Sequence, residues 1–311
     1  MENSGGNKPT IPVLTGPTGA GKTSVALKLL KKYPGLHVLS ADSRQIYKHL
    51  SIGTDKPSAE FLEKYNFHLV DIVEPGERYT AFDFVSDSEK LLKELLQAGQ
   101  LPLICGGTGL YVKSLVEGIV EIPEDDFSIR DRLEEEAVDK GPAYLYEKLR
   151  KIDPLEAKKT HPNNIKRIIR ALEIYHLTGK AKSEIIASAA GGDTKYDFDV
   201  SCLMPPRDEL YADINKRVDL MVKSGLLAEV EGLYELGLKD KVKEINIIGY
   251  NELFKYFDGE ISLESAINLI QQNTRRFAKR QITWFKGMSK IRYFSSGADV
   301  FDYFCGFWGG P

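Results

Sequence analysis

The stretch that decides the fold is "TGPTGAGKTSVALKLL", residues 15–30. It contains the pattern G-x-x-x-x-G-K-T of a phosphate-binding loop, formed by Gly16, Pro17, Thr18, Gly19, Ala20, Gly21, Lys22 and Thr23. The apolar segment "IPVLTG" precedes the loop, and Val25, Leu29 and Leu30 follow at helical spacing, so strand, loop and helix come in the required order. Backbone N–H groups then surround a phosphate, Lys22 adds positive charge and the Thr23 hydroxyl ligates Mg²⁺.

Further strand and helix patterns alternate along the first 120 residues. The segments "LHVLSADS", "FHLVDIV" and "LPLICGGTG" are typical of buried strands, and "TAFDFVSDSEKLLKELLQAGQ" is typical of a helix that ends at Gly99. This alternation predicts a parallel sheet flanked by helices. Ligands bind at the carboxyl ends of the strands in such sheets, which is where the phosphate loop, "ADS" and "GGTG" fall.

The pattern changes after about residue 120. Three charged helical segments follow with no strand between them, "IPEDDFSIRDRLEEEAVDKG", "AYLYEKLRKIDPLEAKKTH" and "NNIKRIIRALEIYHLTGK". After a linker, "GGDTKYD", the strand "FDVSCLMPP", long helices and a last short strand, "KIRYF", resume the core. We therefore predict a P-loop NTPase-like α/β core over residues 8–120 and 196–300, with an all-helical insertion domain over 121–195. The aromatic tail "FDYFCGFWGGP" is expected to pack against the core.

Composition and charge restrict the class of protein. The chain of 311 residues is 42% hydrophobic and 28% charged, which is typical of a globular protein. Its formal net charge of -3 means that any nucleic-acid site is a local patch. The three widely spaced cysteines predict neither a disulfide framework nor a metal site, and the polar start "MENSGGNKPT" lacks the apolar segment of a secretory signal. We expect a cytoplasmic protein that does not span a membrane.

Two carboxylates and one hydroxyl near the predicted strand ends are candidates for chemistry. Asp71 in "HLVDIV" would hold Mg²⁺, as in a nucleotide hydrolase or kinase, or would be a structural residue at a strand end. Asp42 follows a strand on the same edge as the phosphate loop, where it would ligate metal, act as a general base, or only cap a turn. "GGTG", residues 106–109, permits close approach of a ligand and offers the Thr108 hydroxyl, although a simple turn also explains it.

Three clusters of basic residues stand out in this acidic chain. They are Lys166, Arg167 and Arg170 in "NNIKRIIRALE", Arg275, Arg276, Lys279 and Arg280 in "NTRRFAKRQITWF", and Arg130 and Arg132 in "SIRDR". A solvated helix face is the ordinary explanation of such clusters. A binding site for a nucleic-acid backbone is the alternative, because neutralising phosphates requires several cations on one surface.

Seven segments, in order along the chain, resemble one family. They are "TGPTGAGKTSVAL", "LSADSRQIYKHLSIGTDKP", "LICGGTGLYVKSL", "HPNNIKRIIRALEIY", "INKRVDLMVKSGLLAEV", "IIGYNEL" and "AKRQITWF". Together they resemble the tRNA dimethylallyltransferases, or tRNA isopentenylpyrophosphate transferases, from Ile11 to Phe285. The resemblance implies transfer of a dimethylallyl group from dimethylallyl diphosphate to the exocyclic N6 amine of the adenosine 3′-adjacent to the anticodon in tRNA. The phosphate loop would hold the leaving diphosphate, with Mg²⁺ as cofactor.

The resemblance also implies roles for individual residues. Asp42 would be the base, Thr108 would position the amine or the diphosphate, and Arg217 would be a further cation on the diphosphate. The diphosphate would also contact Lys56 and every residue from Gly16 to Thr23, and Thr23 would hold the metal. The tRNA would contact Asp42, Ser43, Arg44, Gln45, Thr108, Arg130, Lys166, Arg167, Arg170, Asn246, Gly249, Tyr250, Arg275, Arg276, Lys279 and Arg280.

Some residues depart from the family pattern. Ser51 and Asp55 replace an acidic residue and alanine in the usual "DIGTAKP", so Asp55 places negative charge beside Lys56. Lys166 stands where the family commonly has Gln. No Cys/His zinc finger precedes the final "FWGGP", so we expect the bacterial form, acting as a monomer without an obligate protein partner.

Three other functions stay open from the sequence. A prenyltransferase for free AMP, ADP or ATP would share the core but would not need the basic insertion. A small-molecule or nucleoside kinase would require tight ATP binding and a metal carboxylate after a strand. A non-catalytic RNA-binding protein would bind tRNA without turning anything over.

Overall fold

The computed structural model describes residues 8–119, 127–189 and 194–309. Two compact units divide the chain, one formed by Met1–Glu117 with Lys195–Pro311 and the other by Gly118–Thr194. The predicted start of the insertion, at residue 121, and the first three residues of the predicted linker "GGDTKYD" lie outside the described residues.

The first unit is built on one parallel sheet of six strands. The strands are β1 (Thr10–Thr15), β2 (Leu36–Ser40), β3 (Phe67–His68), β4 (Leu101–Gly106), β5 (Asp197–Leu203) and β6 (Ile291–Phe294). Their order across the sheet is β3-β2-β4-β1-β5-β6, and every neighbouring pair is parallel. β1 therefore lies between β4 and β5, with Thr15 level with Gly106 on one side and Cys202 on the other. The predicted α/β fold with a parallel sheet is confirmed.

Fifteen helices are described. They are α1 (Lys22–Lys32), α2 (Ala59–Lys64), α3 (Ala81–Gln97), α4 (Gly109–Glu117), α5 (Phe127–Lys140), α6 (Pro142–Ile152), α7 (Pro154–Lys159), α8 (Ile165–Thr178), α9 (Lys182–Ala189), α10 (Arg207–Lys223), α11 (Leu226–Glu235), α12 (Lys239–Ile245), α13 (Tyr250–Phe257), α14 (Leu263–Lys286) and α15 (Gly297–Phe307). α5 to α9 belong to the second unit and the others to the first. Local sequence determines where α3 begins. The side chains of Thr80 and Asp83 each accept a hydrogen bond from the backbone N–H of the other residue, which is a capping box.

Two predicted elements differ from the structure. The strand predicted over "FHLVDIV" is limited to Phe67 and His68, because Leu69 and Asp71 have positive φ angles of 61° and 55° and the chain turns out of the sheet. The helix predicted over "AYLYEKLRKIDPLEAKKTH" is two helices, α6 and α7. Pro154 has no backbone N–H and cannot continue α6, so it begins α7, capped by the Asp153 side chain.

One apolar core of the first unit lies around α1 and the neighbouring strands. It includes Leu14 of β1, Leu29 of α1 and Phe304 of α15, all fully buried. The ring of Phe304 stacks on Trp308 with centroids 5.7 Å apart. The aromatic tail thus packs against the core, as expected, and each buried side chain of this size contributes about 1.5–3 kcal/mol.

A second core of the first unit joins the segment after β2 to the helices that follow β5. Ile46 and Leu50 pack with Leu226, Leu253 and Phe254. This packing supports the residues that directly follow Asp42.

The second unit has an apolar core of its own. It is formed by α5, α6, α7 and α8 through Leu133, Leu145, Leu149, Ala157, Ile168, Ile169, Ala171 and Leu172. Across the parts of the chain that the structure describes, no helix combines the length and apolar character needed to cross a bilayer.

Candidate active site

The phosphate loop turns between β1 and α1 and folds back on its own lysine. Lys22 Nζ donates to the carbonyls of Gly16 at 3.0 Å and Pro17 at 2.8 Å. Gly16 has a φ of +143°, and a Cβ there would lie 2.2 Å from the Leu203 carbonyl oxygen of β5. Only glycine therefore fits where the loop passes the end of β5.

Two other candidate residues influence the charge of Lys22. Burial lowers the pKa of Lys22, and the nearby Arg217 guanidinium acts in the same direction, whereas the Asp42 carboxylate opposes the shift. An anion bound at the loop would favour the charged form of Lys22. The Arg217 guanidinium and the Asp42 carboxylate are therefore close enough to Lys22 to influence its charge.

Asp42 follows β2 and has two functions open to it. Its Oδ1 accepts hydrogen bonds from the amides of Arg44 at 2.8 Å and Gln45 at 3.3 Å, which is the turn-capping role considered for the sequence. Its Oδ2 has no hydrogen bond to any residue in the described ranges, and the side chain is half-buried. One oxygen therefore fixes the turn while the other stays available to a substrate proton or a metal.

Thr108 braces the same turn from the end of β4. Its Oγ1 accepts from the Ser43 amide at 2.9 Å and donates to Ser43 Oγ at 3.2 Å, and its amide donates to the Ala41 carbonyl at 3.0 Å. A Cβ on Gly106 would lie 2.2 Å from the Ala41 oxygen, so the two chain segments touch. "ADS" and "GGTG" therefore meet as predicted.

Gln281 of α14 joins the phosphate loop to "GGTG". Its Oε1 accepts from the Thr18 amide at 2.8 Å, and its Nε2 donates to the Gly107 carbonyl at 2.7 Å. The side chain is 8% exposed. The basic residues of "KRQITWF" were the predicted contacts in this motif, and Gln281 was not among them. The signal was an uncharged polar residue inside a family-specific motif on the buried face of a helix.

Arg217 of α10 reaches the loop from the other side. Nη2 donates to Thr18 Oγ1 at 2.7 Å and Nη1 donates to Asp55 Oδ2 at 2.9 Å. Its Nε is buried and has no hydrogen-bond partner within the described part of the chain. The guanidinium thus lies beside the phosphate loop, and its contact with a phosphate stays a prediction.

The residues present fit Mg²⁺ bound mainly through a substrate diphosphate. Thr23 is half-buried in the loop, and Asp42 keeps one oxygen available. In the described ranges, no group of three or more His, Cys, Asp or Glu side chains gathers to form an all-protein metal site. A magnesium ion that binds substrate phosphates keeps several waters and needs only one or two protein ligands.

A comparison with known families decides the identity. The family model described as IPP transferase matches residues 45–288, and the model described as isopentenyl transferase matches residues 9–71. The tRNA dimethylallyltransferase of Anoxybacillus flavithermus is 43% identical, with 93% of this chain and 91% of the relative covered. The chain belongs to the tRNA dimethylallyltransferase family.

Solved structures of the tRNA dimethylallyltransferase family share the fold. The tRNA isopentenylpyrophosphate transferase of Bacillus halodurans matches with a TM-score of 0.66 and 36% identity, covering 96% of each chain. A eukaryotic dimethylallyltransferase acting on tRNA matches with a TM-score of 0.81 and 27% identity, covering 97% of this chain and 80% of the other.

Lys56 is placed differently from its expected role as a diphosphate ligand. Its side chain is 1% exposed, and Nζ forms an ion pair with Asp71 and donates to the Tyr47 carbonyl at 2.7 Å. Burial lowers the pKa of Lys56, and Asp71 opposes that shift. The structure gives Lys56 a role in holding the loop after β2. Asp71 is therefore the ion-pair partner of Lys56, and it does not lie at the end of a strand.

Tyr250, an expected tRNA contact, is also placed differently. Its side chain is fully buried, and its hydroxyl donates to Glu229 Oε1 at 2.6 Å. The same carboxylate accepts from the amides of Ser51, Ile52 and Gly53. In this structure Tyr250 therefore ties "IIGYNEL" to "SIGTDKP" and presents no surface to an RNA.

The other expected tRNA contacts of the first unit fall into two groups. Arg44 donates to the Ile245 carbonyl, Gln45 donates to Thr54 and Asp55 carbonyls, Gly249 donates to Glu252, and Arg275 donates to Asn215. Asn246, Arg276, Lys279 and Arg280 are exposed. The second group is accessible to a nucleic acid, and its contact with tRNA stays a prediction.

The basic cluster of the second unit is organised around two buried glutamates. Glu173 is fully buried and pairs with Arg130 at 2.9 Å and Arg170 at 3.1 Å. Glu156 pairs with Arg167 at 2.9 Å. Lys166 is exposed on the same helix, α8. The arginines are therefore fixed by internal ion pairs, and their contact with tRNA stays a prediction.

Proposed function

We propose that this protein transfers a dimethylallyl group from dimethylallyl diphosphate to the N6 amine of the adenosine next to the anticodon of tRNA, releasing diphosphate. The observation that carries the proposal is the junction at Gln281, where the phosphate loop and "GGTG" are held together beside a carboxylate with one open oxygen. Family membership supports the same reaction.

The chemistry of the leaving group matches the cationic side of this site. The allylic C–O bond breaks, and its electron pair goes to the diphosphate oxygen. Lys22, Arg217 and the loop amides stabilise the negative charge that develops there. Mg²⁺, bound through Thr23 and the diphosphate oxygens, would supply further charge stabilisation.

The nucleophile requires a base on the opposite side. The N6 amine is weakly nucleophilic because its lone pair is delocalised into the ring. As the C–N bond forms, Asp42 Oδ2 accepts a proton from the amine while Oδ1 keeps its hydrogen bonds to the turn. Thr108 holds Ser43 and so keeps the turn in place.

A kinase is a poorer explanation of the same residues. The strand that ends at Gly106 is followed by Gly107 and Thr108 and offers no carboxylate for a metal. Asp71 is paired with Lys56, so Asp42 is the one candidate carboxylate left in the described site, and the proposed reaction uses it as the base. A phosphoryl transfer enzyme of this loop class needs such a carboxylate.

Transfer to tRNA, in preference to a free nucleotide, is supported by the second unit. Its exposed basic residues suit the phosphates of an anticodon stem-loop, and a free nucleotide offers no such surface. The adenosine would leave the loop stack to reach Asp42, as in other enzymes that modify bases.

One assay separates these functions. The purified protein is mixed with Mg²⁺, labelled dimethylallyl diphosphate and either unmodified tRNA or AMP, and a parallel reaction contains labelled ATP. Label in tRNA at the adenosine next to the anticodon is the expected result. Label in AMP alone would assign a free-nucleotide prenyltransferase, and consumption of ATP alone would assign a kinase.

A further inference from the structure

The Asp55 carboxylate accepts a hydrogen bond from one nitrogen of the Arg217 guanidinium, which the proposed reaction needs. Arg217 donates to Asp55 through Nη1 and to the phosphate-loop hydroxyl of Thr18 through Nη2. We propose that Asp55 is an internal anion that competes with diphosphate for Arg217 and so weakens the hold of the site on its product. The proposal rests on the proposed function, because the ligand is the diphosphate that this reaction releases.

The open donor on Arg217 is the first argument. Its Nε is buried and has no partner within the described residues. A buried donor left unsatisfied is unfavourable, so the groups of the described chain do not satisfy all the donors of this guanidinium.

The exposure of Asp55 is the second argument. Its side chain is 48% exposed, whereas that of Arg217 is 23% exposed. Ion pairs at this degree of exposure are weak, because water competes for the carboxylate. Asp55 is therefore able to leave when diphosphate arrives, while the bond to Thr18 keeps the guanidinium at the loop.

Charge gives the direction of the effect. While Asp55 is paired, it cancels part of the positive charge that Arg217 offers to a diphosphate. Lys22, whose pKa is lowered by burial and by Arg217, is the other cation of the loop. Removing the charge of Asp55 therefore raises the affinity for diphosphate.

Asparagine is the substitution that isolates this charge. Asp55 has a φ of 56°, a left-handed conformation that asparagine tolerates and alanine does not. The Asp55 amide donates to the Ile52 carbonyl, and its carbonyl accepts from Gln45, so the backbone contacts do not depend on the carboxylate. Asp213→Asn is the matched control, because Asp213 is exposed on α10 one turn before Arg217 and forms no ion pair in the described ranges.

The test is calorimetric titration with inorganic diphosphate and Mg²⁺. We expect Asp55→Asn to tighten binding roughly two- to fivefold, the range that one exposed ion pair sets. Asp213→Asn should leave the affinity unchanged. In an Arg217→Gln background, Asp55→Asn should no longer have any effect, which assigns the gain to this pair.

Three results would overturn the proposal. They are an unchanged or weaker affinity in Asp55→Asn, an equal gain in Asp213→Asn, or a gain that persists without Arg217. Prenylation of tRNA, measured on the same samples, separates this proposal from the function itself. If wild-type protein modifies tRNA but Asp55→Asn binds diphosphate with unchanged affinity, the competition is refuted and the proposed function stands.

Discussion

The Oε1 atom of Gln281 accepts a hydrogen bond from the amide of Thr18 at 2.8 Å. A residue near the end of the longest helix described thus fixes the peptide in the middle of the phosphate loop. The Nε2 atom of the same Gln281 side chain donates a hydrogen bond to the Gly107 carbonyl. Because a loop of glycines has little conformational preference of its own, this contact determines how its N–H groups are aimed.

Gln281→Ala should therefore weaken diphosphate binding by about tenfold and lower the free energy of unfolding by about 1–3 kcal/mol. Both a buried amide and a buried carbonyl would lose their partner. Calorimetry with diphosphate and denaturant unfolding measure the two effects. Gln272→Ala, on the exposed face of the same helix, is the control. Wild-type affinity in Gln281→Ala would exclude a role in aiming the loop.

Asp42→Asn should lower kcat by at least about 10² with little loss of tRNA binding. Asparagine keeps an oxygen for the amides of Arg44 and Gln45, so the turn is retained and only the base is lost. Single-turnover transfer and filter binding of tRNA give the two quantities. Near-normal turnover would show that another group accepts the proton.

Lys166→Ala should reduce the slope of log K against log salt for tRNA by about 0.7–0.9, because one phosphate contact is lost. Its thermal midpoint should not change, since Lys166 is exposed. Arg170→Ala should in addition destabilise the second unit by about 1–3 kcal/mol, because it removes a partner of the fully buried Glu173. An unchanged salt slope in both variants would remove α8 from the tRNA surface.

Diphosphate affinity should fall at high pH, beginning below the ordinary lysine value of 10.5. Burial lowers the pKa of Lys22, and binding requires its ammonium form. In the free protein the folded chain binds fewer protons at this group than the unfolded chain, so its contribution to stability rises with pH over the same window. Titrations at several pH values measure the first effect. Lys22→Arg should remove this pH dependence, and a decline that persisted in that variant would point to another group.

Local sequence patterns predicted the sheet and the elements that form the site. The phosphate loop, Asp42 and Thr108 follow three strands whose direction in a parallel sheet places them on one edge. The partners of long side chains were not predictable in the same way. Lys56 and Tyr250 lie in family motifs that suggested ligand contact, yet their polar ends are bound to Asp71 and Glu229.

The remaining differences have the same physical origin. A motif records that a residue type matters but not whether it contacts substrate or another motif. Gln281 was missed because it is uncharged and its two partners lie more than 170 residues away in the chain. The pattern did not indicate the end of β3, because the positive φ angle at Leu69 is set by the surrounding structure and is not favoured by leucine.

Thr18 and Gln281, which are joined by a hydrogen bond, lie 263 residues apart in the sequence. One edge of β1 pairs with β5, which also comes much later in the chain. Chains are made from the N-terminus, so the phosphate loop is synthesised early and its brace almost last. A nascent chain thus carries a recognisable nucleotide-type loop through most of translation without an assembled centre. A chain that ends before residue 281 lacks the side chain that holds Thr18 and Gly107, so its phosphate loop is not fixed as it is in the full chain.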